Sequence, residues 1–501
     1  MSIKTAVNEK IKMDPDKYPR GLFVLSFVEM WERFSFYGMR SLLTLFLTNK
    51  LLLSDTQSYG MFGVYASLVW GIPIFGGYIA DKILGFQKAI LIGSVIITSG
   101  HLTLAIFDGQ YALLMGLGLI ISGTGFFKSN ISGLIGQLYP KNSPHRSTGF
   151  TIFYIFINIG GFFAPLVCGL VGDLYGWHSA FSLAGFGMLI GVFVLFSQRK
   201  HFKEVGLPPI HYRKDNKIVF KIFLGGMLIS PLFSVIIYNY DIFQSILPLS
   251  GIIFILFLTK ESKNCSKKEK IHIKIILLSM FMIMLSGAFI EQSATSINLC
   301  VDRSVNRLIF DYTIPTASFQ SIDPLTVLVF GPLITGVWSY YIKKNKEVSP
   351  GVKFFLAFLC VFVSYCILYL GCKYHDQNNK IPLSFILSGM IILSLADIFI
   401  YPLVLSMCSQ LSPKHLQGLL MGGVMLSISL SQIFGSLLAG LAAIPKESES
   451  NVNDLISLEV YSDLFYHQSI LAFLALIFVI YLGNKINNYF YSLDKNIDSV
   501  K

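Results

Sequence analysis

Charge is scarce in this sequence. Asp, Glu, Lys and Arg make up 13% of 501 residues, about half the ~25% usual in soluble domains. Hydrophobic residues make up 53%, and they fall in long runs. A helix needs roughly 20 apolar residues to cross the ~30 Å hydrocarbon layer, and runs of that kind recur from Leu22 almost to the C-terminus. A soluble fold is excluded. Cysteine is sparse as well. Cys168, Cys265, Cys300, Cys360, Cys366, Cys372 and Cys408 show no metal-ligand spacing, and most lie inside apolar runs; a Cys300–Cys372 disulfide at the outer face is the weaker alternative to free thiols. Residues 1–20 lack an apolar core or cleavage-like site, so no cleaved signal peptide is expected and the first span directs insertion. No Ser/His/Asp or Cys/His arrangement offers a catalytic centre, and no cofactor is expected. Gly116-Leu117-Gly118 follows no strand and sits in an apolar helix, where glycines serve close packing rather than a nucleotide loop.

What is present is a succession of spans. Fourteen are expected, over 21–49, 57–84, 87–107, 111–139, 147–172, 178–198, 218–238, 242–260, 271–298, 322–343, 351–372, 381–410, 414–443 and 464–486. None alternates at period two, and unpaired backbone groups cannot face lipid, so all are helices. The net charge of +11 sits mostly in short connections on one side, which reads as a topology signal rather than a nucleic-acid surface. That side holds Lys4, Lys10, Lys12, Lys17 and Arg20, then Lys82 and Lys88, Lys141 and Arg146, and Arg199 to Lys214. It continues with Lys260 to Lys270, which also suits anionic lipid, then Lys343 to Lys346 and Lys414. The other side is poorer in cations, despite Arg303, Arg307, Lys373 and Lys380, and its 444–463 loop is acidic. Both termini are therefore expected in the cytoplasm, in a bacterial inner membrane.

Ionisable groups inside spans are costly and by default mark function. Glu29, Glu32, Arg33, Phe36 and Arg40 fall within roughly a 100° sector of the first helix, with Tyr37 on its edge. A structural salt bridge such as Glu29–Arg33 at four-residue spacing is the plainer reading. Two acids and two bases on one face exceed what packing needs, and a water-lined cavity houses them better. Lys128, Glu291 and Asp397 are isolated charges in later spans. A lone buried charge tends to neutralise, so an acid–base pair shared between helices is expected to act as a proton-operated latch. His101 in Ser99-Gly100-His101 reads as a hydrogen-bonded packing histidine ahead of a proton relay.

The organisation is that of six helices, a basic linker with two extra helices, and six more. Gly76-Gly77-Tyr78-Ile79-Ala80-Asp81-Lys82 resembles the loop motif of the major facilitator superfamily, whose site lies between two six-helix halves near the midplane; Gln87-Lys88 stands where Arg-Lys is usual. Residues 29–38, Glu-Met-Trp-Glu-Arg-Phe-Ser-Phe-Tyr-Gly, resemble the first-helix signature of the proton-coupled oligopeptide transporter family. Phe127-Lys128-Ser129-Asn130-Ile131-Ser132, Phe153-Tyr154 with Asn158-Ile159-Gly160-Gly161, Glu291-Gln292 and Ser321-Ile322-Asp323-Pro324 resemble its later motifs in order and spacing. The resemblance covers most of residues 20–440. It implies an all-α polytopic membrane protein of the major facilitator fold, two six-helix bundles plus two additional helices, as in bacterial members. The expected divisions are 1–20, 21–198, 199–270, 271–486 and a 487–501 cytoplasmic tail.

The resemblance also implies roles. Arg40 would receive a peptide carboxylate, which its two-pronged guanidinium suits. Tyr37 and Asn158 would hydrogen-bond the peptide. Glu29, Glu32 and Arg33 would couple protons, and Lys128 and Glu291 would form the charge pair linking substrate, proton and gate. Asp397, where Glu is usual, would receive the peptide amine. Other departures are Trp70 for Tyr, Val424 for Trp, Tyr401 for Ser, Phe36 for Tyr, Ser129 for Pro and Asp323 for Asn. Asp323 adds a negative charge. The implied activity is symport of di- or tripeptides with protons. A narrower carrier of amino acids or other solutes, suggested by Asp397, Trp70 and Val424, stays open, as does a non-transporting scaffold or sensor.

Overall fold

A computed structural model describes residues 18–140, 143, 145–202, 204–212, 215–344, 346, 348–444 and 454–498. The basic residues Lys4 to Lys17, Lys141, Lys203, Arg213 and Lys214 lie outside them, as does the acidic stretch from Glu447 to Glu449. The helices that cross the layer are α1 (Arg20–Leu45), α2 (Asp55–Gly71, resumed as Pro73–Ile79), α3 (Gly85–Ile106), α4 (Gln110–Gln137), α5 (His145–Tyr175), α6 (Trp177–Ser197) and α7 (Asn216–Leu228, resumed as Ser230–Tyr238). They continue with α8 (Tyr240–Ile246 and Leu249–Glu261), α9 (Lys267–Ile290 and Ser296–Ser304), α10 (Ile322–Lys343), α11 (Pro350–Lys373), α12 (Leu383–Leu411), α13 (Gln417–Ala439) and α14 (Asp454–Asp498).

Among the described residues, twelve helical stretches are long and apolar enough to cross a membrane. One of them, Asp55–Ile106, has 52 residues, enough for two passes at roughly 20 residues each, and Gly85 breaks it with a φ of 69°. The first helix falls outside that set because Glu29, Glu32, Arg33 and Arg40 dilute it. With it the passes number fourteen. Local chemistry sets several starts. Ser54 and Gln57 form a capping box before α2, and Ser266 and Glu269 form another before α9, each satisfying backbone donors that the first turn leaves free. Pro350 opens α11, where its missing N–H costs nothing.

The helices pack in two groups. Helix α1 lies against α5 and α6, and α3 against α4 and α6. In the second half α11 lies against α12 and α14, and α9 against α12 and α13. Helices α2 and α13 form a broad contact between the groups, and α5 meets the 316–321 segment and α10. The extra helices bridge both groups from outside. Ser122 donates to the Gly226 carbonyl at 2.6 Å and Ser234 to the Leu114 carbonyl at 2.8 Å, which ties α7 to α4. Gln244 of α8 donates to Ser436 of α13 at 2.9 Å.

Two boundaries differ from the sequence reading. Helix α14 begins ten residues before position 464 and continues through most of the expected 487–501 tail. No Gly or Pro occurs from 454 to 463 or after Gly483 to stop it. The span expected over 271–298 is not one helix. It loosens to a 3₁₀ turn at Glu291–Ala294 and resumes at Ser296. The freed carbonyls find partners there: Thr44 donates to Ala294 at 2.7 Å and Gln320 to Ser293 at 3.0 Å, as buried backbone groups require.

Close approach between α2 and α4 depends on Gly76, where an added Cβ would sit 1.9 Å from the Gly125 carbonyl oxygen. Gly225 on α7 has open space around it. Gly76→Leu should destabilise the protein by at least the ~1–3 kcal/mol of overpacking, read as a lower detergent melting temperature. Gly225→Ala should melt as the wild type or slightly above. Equal melting of the two variants would contradict this packing.

Candidate transport site

The site is built on helices that carry charge inward. On α1, Glu29 (3% exposed), Glu32 (1%) and Arg33 (4%) are buried. Arg33 pairs with both acids of its own helix, its Nε 3.2 Å from Glu29 and hydrogen-bonded to Glu32. Its guanidinium also lies 5.1 Å from the Phe36 ring. Thus the plain i,i+4 pair exists, but it does not satisfy the cluster. Glu29 Oε2 and Arg33 Nη2 are buried without a hydrogen-bond partner.

Two turns further along, Arg40 forms an ion pair with Glu291 through Nη2 and Oε2. This pair joins the two halves of the molecule at the point where α9 loosens. The same guanidinium stands over the rings of Tyr37 and Phe62 at 6.0 and 5.7 Å. The sequence reading paired Glu291 with Lys128 instead. Here the Lys128 ammonium faces the Trp70 ring, 2.9 Å from its centroid, and its Nζ has no hydrogen-bond partner. The reason is competition: Glu291 is already taken by a guanidinium, and the indole face offers the lysine a π-cloud. Lys128 remains within electrostatic range of Glu32, Glu29 and Glu291.

A cavity between the halves is lined by Tyr37, Arg40, Ser293, Gln320, Asp323 and Ser394, with Ile290, Met390 and Leu393 as apolar wall. Asp397, one turn beyond Ser394 on α12, is within electrostatic range of Asp323, Glu291 and Arg40. Tyr401, one further turn on, is within range of Asp397 and Tyr37. Asn158 of α5 is buried and donates to the Tyr154 carbonyl at 2.8 Å, and the Tyr154 phenol is within electrostatic range of Asp397 and Asp323. The structure therefore places Tyr37 and Arg40 on the cavity wall, with Glu291 paired to Arg40 and with Asp397 and Tyr401 within electrostatic range of those residues. Glu29, Glu32, Arg33, Lys128 and Trp70 form a second cluster linked to the first through the range of Lys128 to Glu291. Val424 does not belong: it is fully buried in the apolar core. His101 is fully buried beside Gly185 as a packing residue would be, but neither ring nitrogen has a hydrogen-bond partner, so the hydrogen bond expected of it is not formed. Cys300 and Cys372 are buried free thiols.

Sequence reasoning missed the closure of one end. The end bearing the 51–54, 305–315 and 374–382 connections is termed outer here. There Arg303 of α9 grips Asp55 of α2 with two hydrogen bonds, of 2.7 and 2.8 Å. Asp55 is fully buried and also accepts from the Ile444 N–H at 3.2 Å. Asn49 donates to Asp302 at 3.0 Å, and Asn298 to the Ser41 carbonyl at 3.3 Å. Ser67 and Ser429 join α2 to α13 at 2.9 Å. Arg303 was visible as an outer cation, but nothing local linked it to an acid 248 residues away.

Residues 87–456 match the POT family. The chain is 27% identical over 462 residues to "Dipeptide and tripeptide permease B" of Shigella dysenteriae serotype 1, covering 92% of this chain and 94% of that one. It is 26% identical over 449 residues to the protein of the same name from Salmonella typhimurium, covering 89% and 91%. Its fold superposes on a crystal structure of the peptide transporter POT in complex with sulfate with a TM-score of 0.80 at 25% identity, covering 97% of this chain and 99% of that one. A glutamate-to-glutamine variant of a peptide transporter POT, in complex with alafosfalin, gives the same values.

The Asp55–Arg303 pair predicts a measurable bias. Removing one partner of a buried ion pair costs ~3–5 kcal/mol, so Arg303→Gln should loosen the outer end. In a cysteine-free background carrying Ser293→Cys on the cavity wall, a membrane-impermeant thiol reagent added outside should label that variant at least tenfold faster. Unchanged labelling would show that the pair does not hold this end shut.

Proposed function

The chain belongs to the POT family, and on that premise we propose that it carries di- and tripeptides across the membrane together with protons. The single observation that carries the mechanism is the Arg40–Glu291 ion pair between the halves. A peptide carboxylate and the Glu291 carboxylate compete for one guanidinium. When Glu291 takes a proton it gives up its claim, and Arg40 becomes free to form a bidentate bond with the peptide. Peptide and proton then enter the same cavity together because each makes room for the other. The peptide amine is received by Asp397, on α12 in the second half of the molecule.

Gating follows from what joins the halves. The conformation described is held at the outer end by Asp55–Arg303 and Asn49–Asp302, and at mid-depth by Arg40–Glu291. Releasing these contacts and forming others at the opposite end is alternating access. Glu29, Arg33 and Lys128, clustered with Glu32, carry buried polar atoms without hydrogen-bond partners, which suits groups that exchange protons and partners during the cycle. The cationic bias of the connections supports an integral membrane protein of the bacterial inner membrane with both termini in the cytoplasm.

Reconstituted protein should take up alanyl-alanine at least tenfold faster with an inward proton gradient than without one. Glu32→Gln should abolish that acceleration. Uptake that ignores the gradient in the wild type would refute proton coupling.

A further inference from the structure

The charges around the cavity do not balance. At mid-depth the carboxylates are Glu29, Glu32, Glu291, Asp323 and Asp397, while the cations are Arg33, Arg40 and Lys128. Arg33 answers Glu29 and Glu32, and Arg40 answers Glu291. Lys128 stands over Trp70 beside the α1 acids, on the first half of the molecule. The second half is left with Asp323 and Asp397 and no cation of its own.

These two carboxylates are close. Asp323, at the first turn of α10, lines the cavity together with Ser394. Ser394 precedes Asp397 by three residues on α12, which puts both on one helix face with Cβ atoms about 5–6 Å apart. The Ser394 hydroxyl is shared between the Asp323 carboxylate and the Met390 carbonyl, the latter at 3.0 Å. One oxygen of Asp323, Oδ1, is buried with no hydrogen-bond partner. A carboxylate so placed calls for a cation. A zwitterionic dipeptide brings one ammonium, which answers Asp397 and leaves Asp323 unanswered.

We propose that Asp323 and Asp397 form a two-carboxylate subsite that selects peptides bearing a second cation near their amino terminus, as in an N-terminal lysine or ornithine residue. The inference rests on the peptide-carrier reading and narrows its substrate class. The four-carbon stem of lysine lets its two nitrogens reach toward two carboxylates, one on α10 and one on α12. Tyr154 lies within electrostatic range of both carboxylates and Tyr401 within range of Asp397, which brings aromatic rings of the kind that attract an ammonium to the same region. A cation at the carboxyl-terminal residue would instead be brought toward Arg40 and repelled.

The test is calorimetric binding to purified full-length protein of lysyl-alanine, alanyl-lysine and alanyl-alanine at one pH. Lysyl-alanine should bind at least tenfold more tightly than alanyl-alanine, and alanyl-lysine should gain no such advantage. Asp323→Asn should reduce the lysyl-alanine preference to within about twofold. That readout is a ratio inside one variant, so a general loss of affinity does not imitate it. Equal wild-type affinities for lysyl-alanine and alanyl-alanine would overturn the proposal while leaving peptide binding in place, as would a preference that survives Asp323→Asn. If Asp323 holds a proton instead, alanyl-alanine binding will take up fewer protons in Asp323→Asn with no lysyl preference, and the proposal fails. Should none of the three peptides bind, the peptide-carrier reading falls and takes this subsite with it.

Discussion

A single ion pair between the halves, Arg40 with Glu291, is the constraint on which the rest of the structure depends. Neither charge is stable alone at mid-depth, since an unpaired ion there costs several kcal/mol. Each half of the molecule therefore supplies what the other lacks. The pair also explains the loosened turn at Glu291–Ala294: an uninterrupted α9 would not present the same backbone carbonyls to Thr44 and Gln320. Because the pair is only part-buried, a proton and a peptide carboxylate can each displace one member.

The rest of the fold holds that pair between two surfaces able to separate. Small residues and serines line the contact of α2 with α13. Gly63 meets Ser436, and Ser67 bonds Ser429. Such contacts are close in geometry yet modest in energy, about 0.5–1.5 kcal/mol per hydrogen bond. The Asp55–Arg303 pair adds a stronger clasp at one end. The α7–α8 hairpin touches α4 on one side and α13 on the other, so it must slide or flex when the halves move. A joint between the halves thus combines many weak contacts with few strong ones, as a surface that opens and closes requires.

Much of this was legible in the sequence. Span number follows from hydrophobic length, and the charged face of α1 follows from helical periodicity, because both depend only on neighbours along the chain. Arg40, Tyr37, Glu291 and Asp397 were expected at a common site from the resemblance; Tyr37 and Arg40 line the cavity, Glu291 pairs with Arg40, and Asp397 lies within electrostatic range of both members of that pair. Pairing was not legible. Glu291 chooses Arg40 over Lys128, and Arg303 chooses Asp55, because of distances between residues about 250 positions apart. The length of α14 was misjudged because polarity was taken as the end of a helix, whereas polar residues without Gly or Pro can continue one. Val424, read only as a departure from the Trp usual at its position, is fully buried in the core.

The central claim is that Glu291 and a peptide carboxylate compete for Arg40. The most direct measurement is the affinity for alanyl-alanine between pH 5 and pH 8, in the wild type and in Glu291→Gln. Protonating Glu291 frees Arg40, so wild-type binding should tighten as pH falls. Glu291→Gln lacks the competing charge at every pH, so its affinity should stay near the acid wild-type value and vary much less with pH. A variant as pH-dependent as the wild type would contradict the account.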